Sequence, residues 1–368
     1  MNKGSGSLRL ISGVGQKGPA CFLLETDGKR LALDLGEGPP PGAFPNVDGI
    51  GRVDALILSH GHKDHVGGLS LLPRLGNPPV YATEIVARTL PKGIAARPLP
   101  VGGMADLLGI VIETGRNGHA PGGIWLHFAI GEGLLYTGDY SMESALYAYD
   151  PPAQAAATAL IDCSYADYQS PLAECWDRLA PLAARGPLLL PVPANGRGPE
   201  IALALMRHGV DDIFVDDAIR KTLRQLGDGD AIALRPDAVD DVRRLAEIVK
   251  PIEDARGVML AASADGTSGA TARLIPQFEN SPEVTILFTG YITPTTPAQR
   301  LTKSGRAKAM RWNVHPRLCD TVSLVRGTQA KTVIPAFCDR AKLPALAAAL
   351  KPARVTMDAA IEFSGGHS

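Results

Sequence analysis

The chain has 368 residues, 45% hydrophobic and 20% charged, which is enough for two domains whose cores need no covalent staples. A formal net charge of -1 excludes a global basicity that would hold a polyanion, so any nucleic-acid contact has to come from a local patch. Five cysteines (Cys21, Cys163, Cys175, Cys319, Cys338) show no Cys-x-x-Cys spacing, no run of about 18 apolar residues occurs, and Met1 to Gly18 lacks the apolar core of a signal peptide; the expectation is a reducing compartment, the cytoplasm, and no membrane.

From Leu8 to about Ile161 the pattern is one of short strands between Gly and Pro turns: Leu8 to Ser12, Cys21 to Glu25, Arg30 to Leu35, Ala55 to Leu58, Val80 to Ala82, Gly109 to Glu113, Ile124 to Ile130 and Leu134 to Thr137. Leu69 to Leu75 has the apolar spacing of a helix. Thr158 to Tyr165 gives one more buried strand that ends in an acid, and a helix follows over Pro171 to Ala184 with a proline in its first turn. After Gly186-Pro187 the rhythm lengthens into strand and helix alternation, the sign of a parallel α/β unit: strands at Pro187 to Val192, Ile213 to Asp216, Gly257 to Ala262 and Val284 to Thr289, helices at Arg197 to His208 and Val239 to Val249. Trp312 to Phe363 alternates again.

The densest chemistry lies on the strand-to-helix loop Ser59-His60-Gly61-His62-Lys63-Asp64-His65. Three of only eight histidines fall within six positions there, beside a carboxylate. Neutral imidazoles and a carboxylate suit a borderline divalent ion such as zinc, and the lack of thiols argues against a closed structural site. His60 and His62 alternate on the extended side, while Asp64 and His65 open the helix, so two pairs of donors can face two neighbouring points.

This loop resembles the His-x-His-x-Asp-His signature of the metallo-β-lactamase superfamily. The resemblance extends in order to Asp34 at the end of the strand in Arg30 to Gly36, His119 in Asn117 to Gly123, and Asp139 after Leu134 to Gly138. Farther on, Pro191 to Glu200, Val258 to Ser263 and Leu287 to Thr296 with Arg300-Leu301 resemble the inserted domain of the β-CASP nucleases, the subfamily of ribonuclease J and of the nuclease subunit of the pre-mRNA cleavage and polyadenylation complex. The fold implied is α/β: an αββα metallo-β-lactamase sandwich in two segments, residues 1–186 and 311–368, interrupted by a β-CASP-like α/β domain over 187–310.

What the resemblance implies for the residues is specific. His60, His62 and His119 hold one metal, Asp64 and His65 the second, and Asp139 bridges both; Asp34 fixes the tautomer of a ligand histidine. The ions are zinc, with manganese as the alternative, and the second site is the weaker. Asp64, Asp162 and His315 are the catalytic residues, the last two serving near the scissile phosphate. The family's RNA-cleaving members carry a further histidine ligand where this chain has Phe337; Cys338 replaces it if the strand bulges, Asp339 if the backbone stays extended, and otherwise three protein ligands and solvent hold that metal weakly, with His367 in the tail an outside candidate.

A basic run, Arg300, Lys303, Arg306, Lys308 and Arg311, contains no acid and would track a phosphate backbone, and Arg197 at a helix start is a second phosphate candidate. His127 and His208 read as structural. The expected activity is metal-dependent hydrolysis of single-stranded RNA, with a homo-oligomer as an option. The alternatives are a DNA-acting nuclease, a catalytically weakened nucleic-acid-binding or scaffold protein, and a small-molecule hydrolase, to which an insertion of this length is poorly suited.

Overall fold

A computed structural model describes residues 5–363; His367 lies outside them. Among the described residues there are three sheets. One seven-stranded sheet runs in the order Ala360–Phe363, Gly6–Ser12, Cys21–Thr26, Lys29–Leu33, Ala55–Ile57, Val80–Thr83, Ala96–Leu99. A second runs Arg354–Val355, Thr332–Ala336, Thr158–Asp162, Leu134–Tyr136, Ile124–Phe128, Ile110–Arg116, Gly103–Leu107. The third, six-stranded, runs Lys250–Pro251, Ile213–Val215, Val258–Ala261, Leu188–Pro191, Thr285–Phe288, Ala307–Ala309, and every pairing in it is parallel.

The first two sheets lie face to face, and the strand period of two explains why so many of their strands are apolar at every position. Phe22, Leu24, Ala55 and Ile57 point into a core shared with Leu134, Tyr136, Leu160 and Ile334 of the second sheet. Their neighbours Cys21, Leu23, Leu56 and Leu58 point the other way, into an outer core with Val66, Leu69, Leu72 and Leu75. On the second sheet Leu135, Ala159, Ile161 and Val333 meet Leu324, Val325 and Leu346 of the helices Leu318–Gly327 and Leu343–Ala349. Helix, sheet, sheet, helix is the αββα order expected.

The third sheet divides its side chains likewise: Leu188, Leu190, Val258 and Leu260 join one core, and Leu189, Met259 and Ala261 another. The chain forms two compact units, one of residues 5–142, 149–169 and 315–363, the other of Glu143–Ala148 and Ser170–Val314. The inserted unit thus begins before residue 187. The helix Leu172–Ala183, read as part of the first segment, buries Cys175 and Leu179 among Leu188, Leu190 and Ile201, so its apolar face belongs to the insertion's core.

Local chemistry shortens the helix after the histidine loop. Lys63–Val66 makes one turn, and Leu69–Leu75 is a 3-10 helix rather than an α-helix. Gly67 and Gly68 interrupt the ladder and Pro73 removes a backbone donor inside it. Gly68 has a positional reason: a Cβ there would stand 2.6 Å from the Gly36 carbonyl oxygen. The two loop segments can therefore touch, and the Gly68 N–H donates to Leu35 O at 2.8 Å.

Candidate metal centre

Each donor stands just beyond the end of a strand. His60 and His62 follow Ala55–Ile57, His119 precedes Ile124–Phe128, Asp139 follows Leu134–Tyr136, Asp162 ends Thr158–Asp162, and Asp34 follows Lys29–Leu33. The backbone knits these ends together: Asp34 N–H donates to Ile57 O at 2.8 Å, Ile124 N–H to Ser59 O at 2.9 Å, and Ser141 N–H to Asn117 O at 2.9 Å. Asn117 Oδ1 accepts from the His119 N–H at 3.1 Å and holds that turn closed.

The side chains converge into three overlapping groups, whose nearest donor atoms lie within 4.8 Å of one another: His60, His62, His119 with Asp139; Asp64, His65 with Asp139; and Asp139, Asp162 with His315. Asp139 is common to all three. His119 Nε2 is 3.0 Å from His62 Nδ1 and 3.5 Å from Asp139 Oδ2, and His60 Nε2 is 3.8 Å from the same oxygen. His315 Nδ1 is 2.7 Å from Asp162 Oδ2 and 3.7 Å from Asp139 Oδ2.

Asp34 lies beneath the cluster, fully buried and with a left-handed backbone, φ 57°, that aspartate tolerates better than most residues. Its Oδ1 accepts from the Ser59 N–H at 2.7 Å. Its Oδ2 accepts from Ser59 Oγ at 2.6 Å, from the Tyr136 hydroxyl, and from His65 Nδ1 at 2.7 Å. A carboxylate only accepts, so Nδ1 carries a proton and Nε2 is the nitrogen left to face Asp139. Ser59 and Tyr136 were not singled out in the sequence; Tyr136 is the residue just before the Thr137-Gly138-Asp139 turn, and its position on the inner face of the strand was the available signal.

The electrostatics prepare the donors. Burial, helped by the neighbouring His65 and His62, holds His60 well below the ordinary imidazole range, which leaves it neutral and able to ligate. For His65 burial works downward too, but the Asp139 and Asp34 carboxylates outweigh it and lift the ring well above. Burial would raise Asp139, yet His65 and His315 hold it well below the usual carboxylate range; Asp64 is likewise lowered against burial, chiefly by Lys17 and then His65.

The donor set fits a metal. His60 Nε2 is buried and makes no hydrogen bond, and His65 Nε2 and Asp139 Oδ1, 3.2 Å apart, are not aligned as donor and acceptor. Unpaired buried polar atoms that all face one point are costly unless an ion satisfies them. The replacement ligands expected near Phe337 do not join. The strand ends at Ala336, and Phe337, at φ 58°, turns the chain instead of extending it. Cys338 is therefore buried in the outer core with Val333 and Leu346, and exposed Asp339 caps the next turn by accepting from Ala341 N at 2.9 Å. The Phe337 ring itself packs edge-on to His65, centroids 5.2 Å apart.

The expected nucleic-acid residues fare unevenly. Arg300 is paired with Glu279 at 2.5 Å, and Arg306 donates to the carbonyl oxygens of Phe278, Glu279, Ser281 and Val284, so both brace the inserted unit. Lys303, Lys308 and Arg311 are exposed. Arg197 is 9% exposed at the start of its helix, its guanidinium against Gly290. His127 donates to or accepts from no donor cluster; its Nε2 meets Ala155 O at 2.9 Å, and His208 stacks on Trp176 at 3.8 Å.

A two-sheet sandwich with a histidine and aspartate centre at its strand ends defines a class, and the sequence agrees: residues 14–186 match the metallo-beta-lactamase superfamily. Over those residues the chain is similar to that superfamily, and its centre is a divalent-metal centre. It is 23% identical over 399 residues to the transcription termination factor FttA of Methanosarcina mazei, covering 85% of this chain and 62% of that protein. To ribonuclease TTHA0252 of Thermus thermophilus it is 31% identical over 226 residues, 52% of each. The chain thus spans between about half and two thirds of the length of these two curated relatives. In fold it is similar to a crystal structure of a protein of unknown function from Enterococcus faecalis V583, at a TM-score of 0.63 and 12% identity, over 97% of this chain and 100% of that one. No helix among the described residues is long and apolar enough to cross a membrane.

Proposed function

We propose that this chain is a metal-dependent phosphodiester hydrolase acting on single-stranded RNA, with zinc as its metal. The observation that carries the reading is the convergence of His60, His62, His119, Asp64, His65 and Asp139, from loops far apart in sequence, on one centre in which the buried His60 Nε2, His65 Nε2 and Asp139 Oδ1 have no hydrogen-bond partner. Relatives named as a ribonuclease and a transcription termination factor support RNA as the polymer. Bound at those residues, a divalent ion supplies a Lewis acid that neutralises charge on the phosphate and lowers the pKa of water.

The protein's own residues do the rest. Asp34 keeps His65 in one tautomer, and Asn117 sets the direction of His119. Asp162 holds the Nδ1 proton of His315, at 2.7 Å, which leaves His315 Nε2 as the atom able to give or take a proton at the leaving oxygen. Ser164 N–H and Oγ, at 2.9 and 2.6 Å from Asp162 Oδ1, fix that carboxylate in turn. The exposed Lys303, Lys308 and Arg311 supply backbone contacts.

The test is cleavage of an end-labelled RNA oligonucleotide, with DNA of the same sequence beside it, by zinc-loaded protein. RNA cleavage lost in His60→Ala and reduced by about 10²–10⁴ in His315→Ala is expected. Cleavage undiminished in both variants overturns the assignment, and preference for the DNA strand overturns the substrate.

A further inference from the structure

Lys17 stands in the turn between the strands Gly6–Ser12 and Cys21–Thr26, and its Nζ lies 3.5 Å from Asp64 Oδ2, with side chains 23 and 21% exposed. Its charge is also attracted by Asp139 and Asp162. The turn that delivers it is tied down by the backbone on both sides. Phe337 N–H donates to Gly13 O at 2.7 Å and Arg340 N–H to Gly15 O at 3.0 Å. Ala20 N–H donates to Asp64 O at 2.8 Å, and Gly36 N–H to Ala20 O at 2.9 Å. The ammonium is thus set against Asp64 by contacts with the segment that carries Asp64 and with the segment that carries Phe337.

An independent observation concerns the wall of the same half of the centre. Phe337 offers His65 an aromatic edge and no donor atom, and Cys338 and Asp339 turn away. The group of Asp64, His65 and Asp139 therefore has three protein donors, one shared with the other half and one already paired to a cation. An ion arriving there has to part Asp64 from an ammonium of like charge, at a depth where repulsion is weakly screened.

We propose that the Lys17 ammonium stands in for the second cation, so that the centre holds one metal ion tightly, on His60, His62, His119 and Asp139. Asp64 then serves the ammonium, and the three carboxylates Asp64, Asp139 and Asp162 are balanced by one ion and one fixed lysine. The inference rests on the cluster being a metal centre, not on cleavage of RNA.

Apo protein titrated with zinc, with bound ions counted by native mass spectrometry, tests it without substrate. Wild type is expected to hold one zinc per chain tightly, and Lys17→Met, which keeps the length and removes the charge, to bind a second at least tenfold more tightly than wild type does. Lys17→Arg is expected to behave as wild type, and Lys17→Gln serves if the methionine variant does not fold. Two equally tight ions in wild type, or a second constant unchanged in the uncharged variants, overturns the role of Lys17 and leaves the metal centre standing. No ion at all overturns both.

Discussion

Asp34 receives four hydrogen bonds, from Ser59 twice, Tyr136 and His65, although it is in none of the three donor groups. Its task is orientation. In Asp34→Asn the amide can offer the wrong group to Nδ1, freeing His65 to rotate or change tautomer, and loss of such a partner typically lowers by about 10–100-fold the affinity of the site it serves, here the second, weaker one of Asp64, His65 and Asp139. Zinc titration followed by native mass spectrometry measures this; an unchanged second constant would mean that packing alone orients His65. Glu200 makes a different prediction. Burial pushes its carboxyl from 4.5 up to about 7, against hydrogen bonds from Ser144 and Trp312 and the charge of Arg197. The folded state thus binds the proton more strongly than the unfolded one, so stability falls as pH rises between 4.5 and about 7, and the loss is complete above that. At about 1.4 kcal/mol per tenfold change in proton affinity, the shift from 4.5 to about 7 bounds the loss at about 3.5 kcal/mol. Glu200→Gln should remove this pH dependence, so that the variant gains on wild type from pH 5 to pH 8 in urea unfolding; parallel curves would show that the carboxyl is ionised throughout.

At the scale of elements, the site depends on three backbone segments meeting at Gly36. A Cβ on that residue would lie 1.8 Å from the Asp64 carbonyl oxygen and 2.9 Å from Ala20 N. Gly36→Ala has to push the one-turn helix Lys63–Val66 and the Lys17 turn apart, an overpacking expected to cost about 1–3 kcal/mol and to weaken zinc binding together with stability. A variant with wild-type melting and metal affinity would show that the segments part freely. This scale also separates what could be read from the sequence from what could not. His60, His62, Asp64 and His65 are neighbours in the chain, so their spacing exposed them; Asp34, His119 and Asp139 were legible only through the family resemblance, which places such residues at strand ends in a fixed order. Lys17 left no such trace, because its place beside Asp64 arises from a docked turn. Asp339 reaches the centre only on extended backbone and Cys338 only through a bulge, and Phe337, whose φ is 58°, supplies neither. Leu69–Leu75 is the helix its apolar spacing indicates, but the spacing does not register that Gly67, Gly68 and Pro73 make it a 3-10 helix.

For the whole molecule, alternation of side chains between two cores made the sandwich and the parallel insertion legible, whereas the boundary between them was not. The helix Leu172–Ala183 is amphipathic in either context, and only the identity of its packing partners, Leu188 and Ile201 among them, assigns it to the insertion. The charge pattern misled in the same way: Arg300 and Arg306 look available in a run without acids, yet Glu279 and the carbonyls of residues 278–284 lie against them in space. Everything functional turns on whether the distant histidines and Asp139 close on an ion. Anomalous diffraction at the zinc edge from crystals of the zinc-loaded protein decides this directly. The expected result is one dominant peak bounded by His60, His62, His119 and Asp139; the contradictory result is a map with no peak among those four residues.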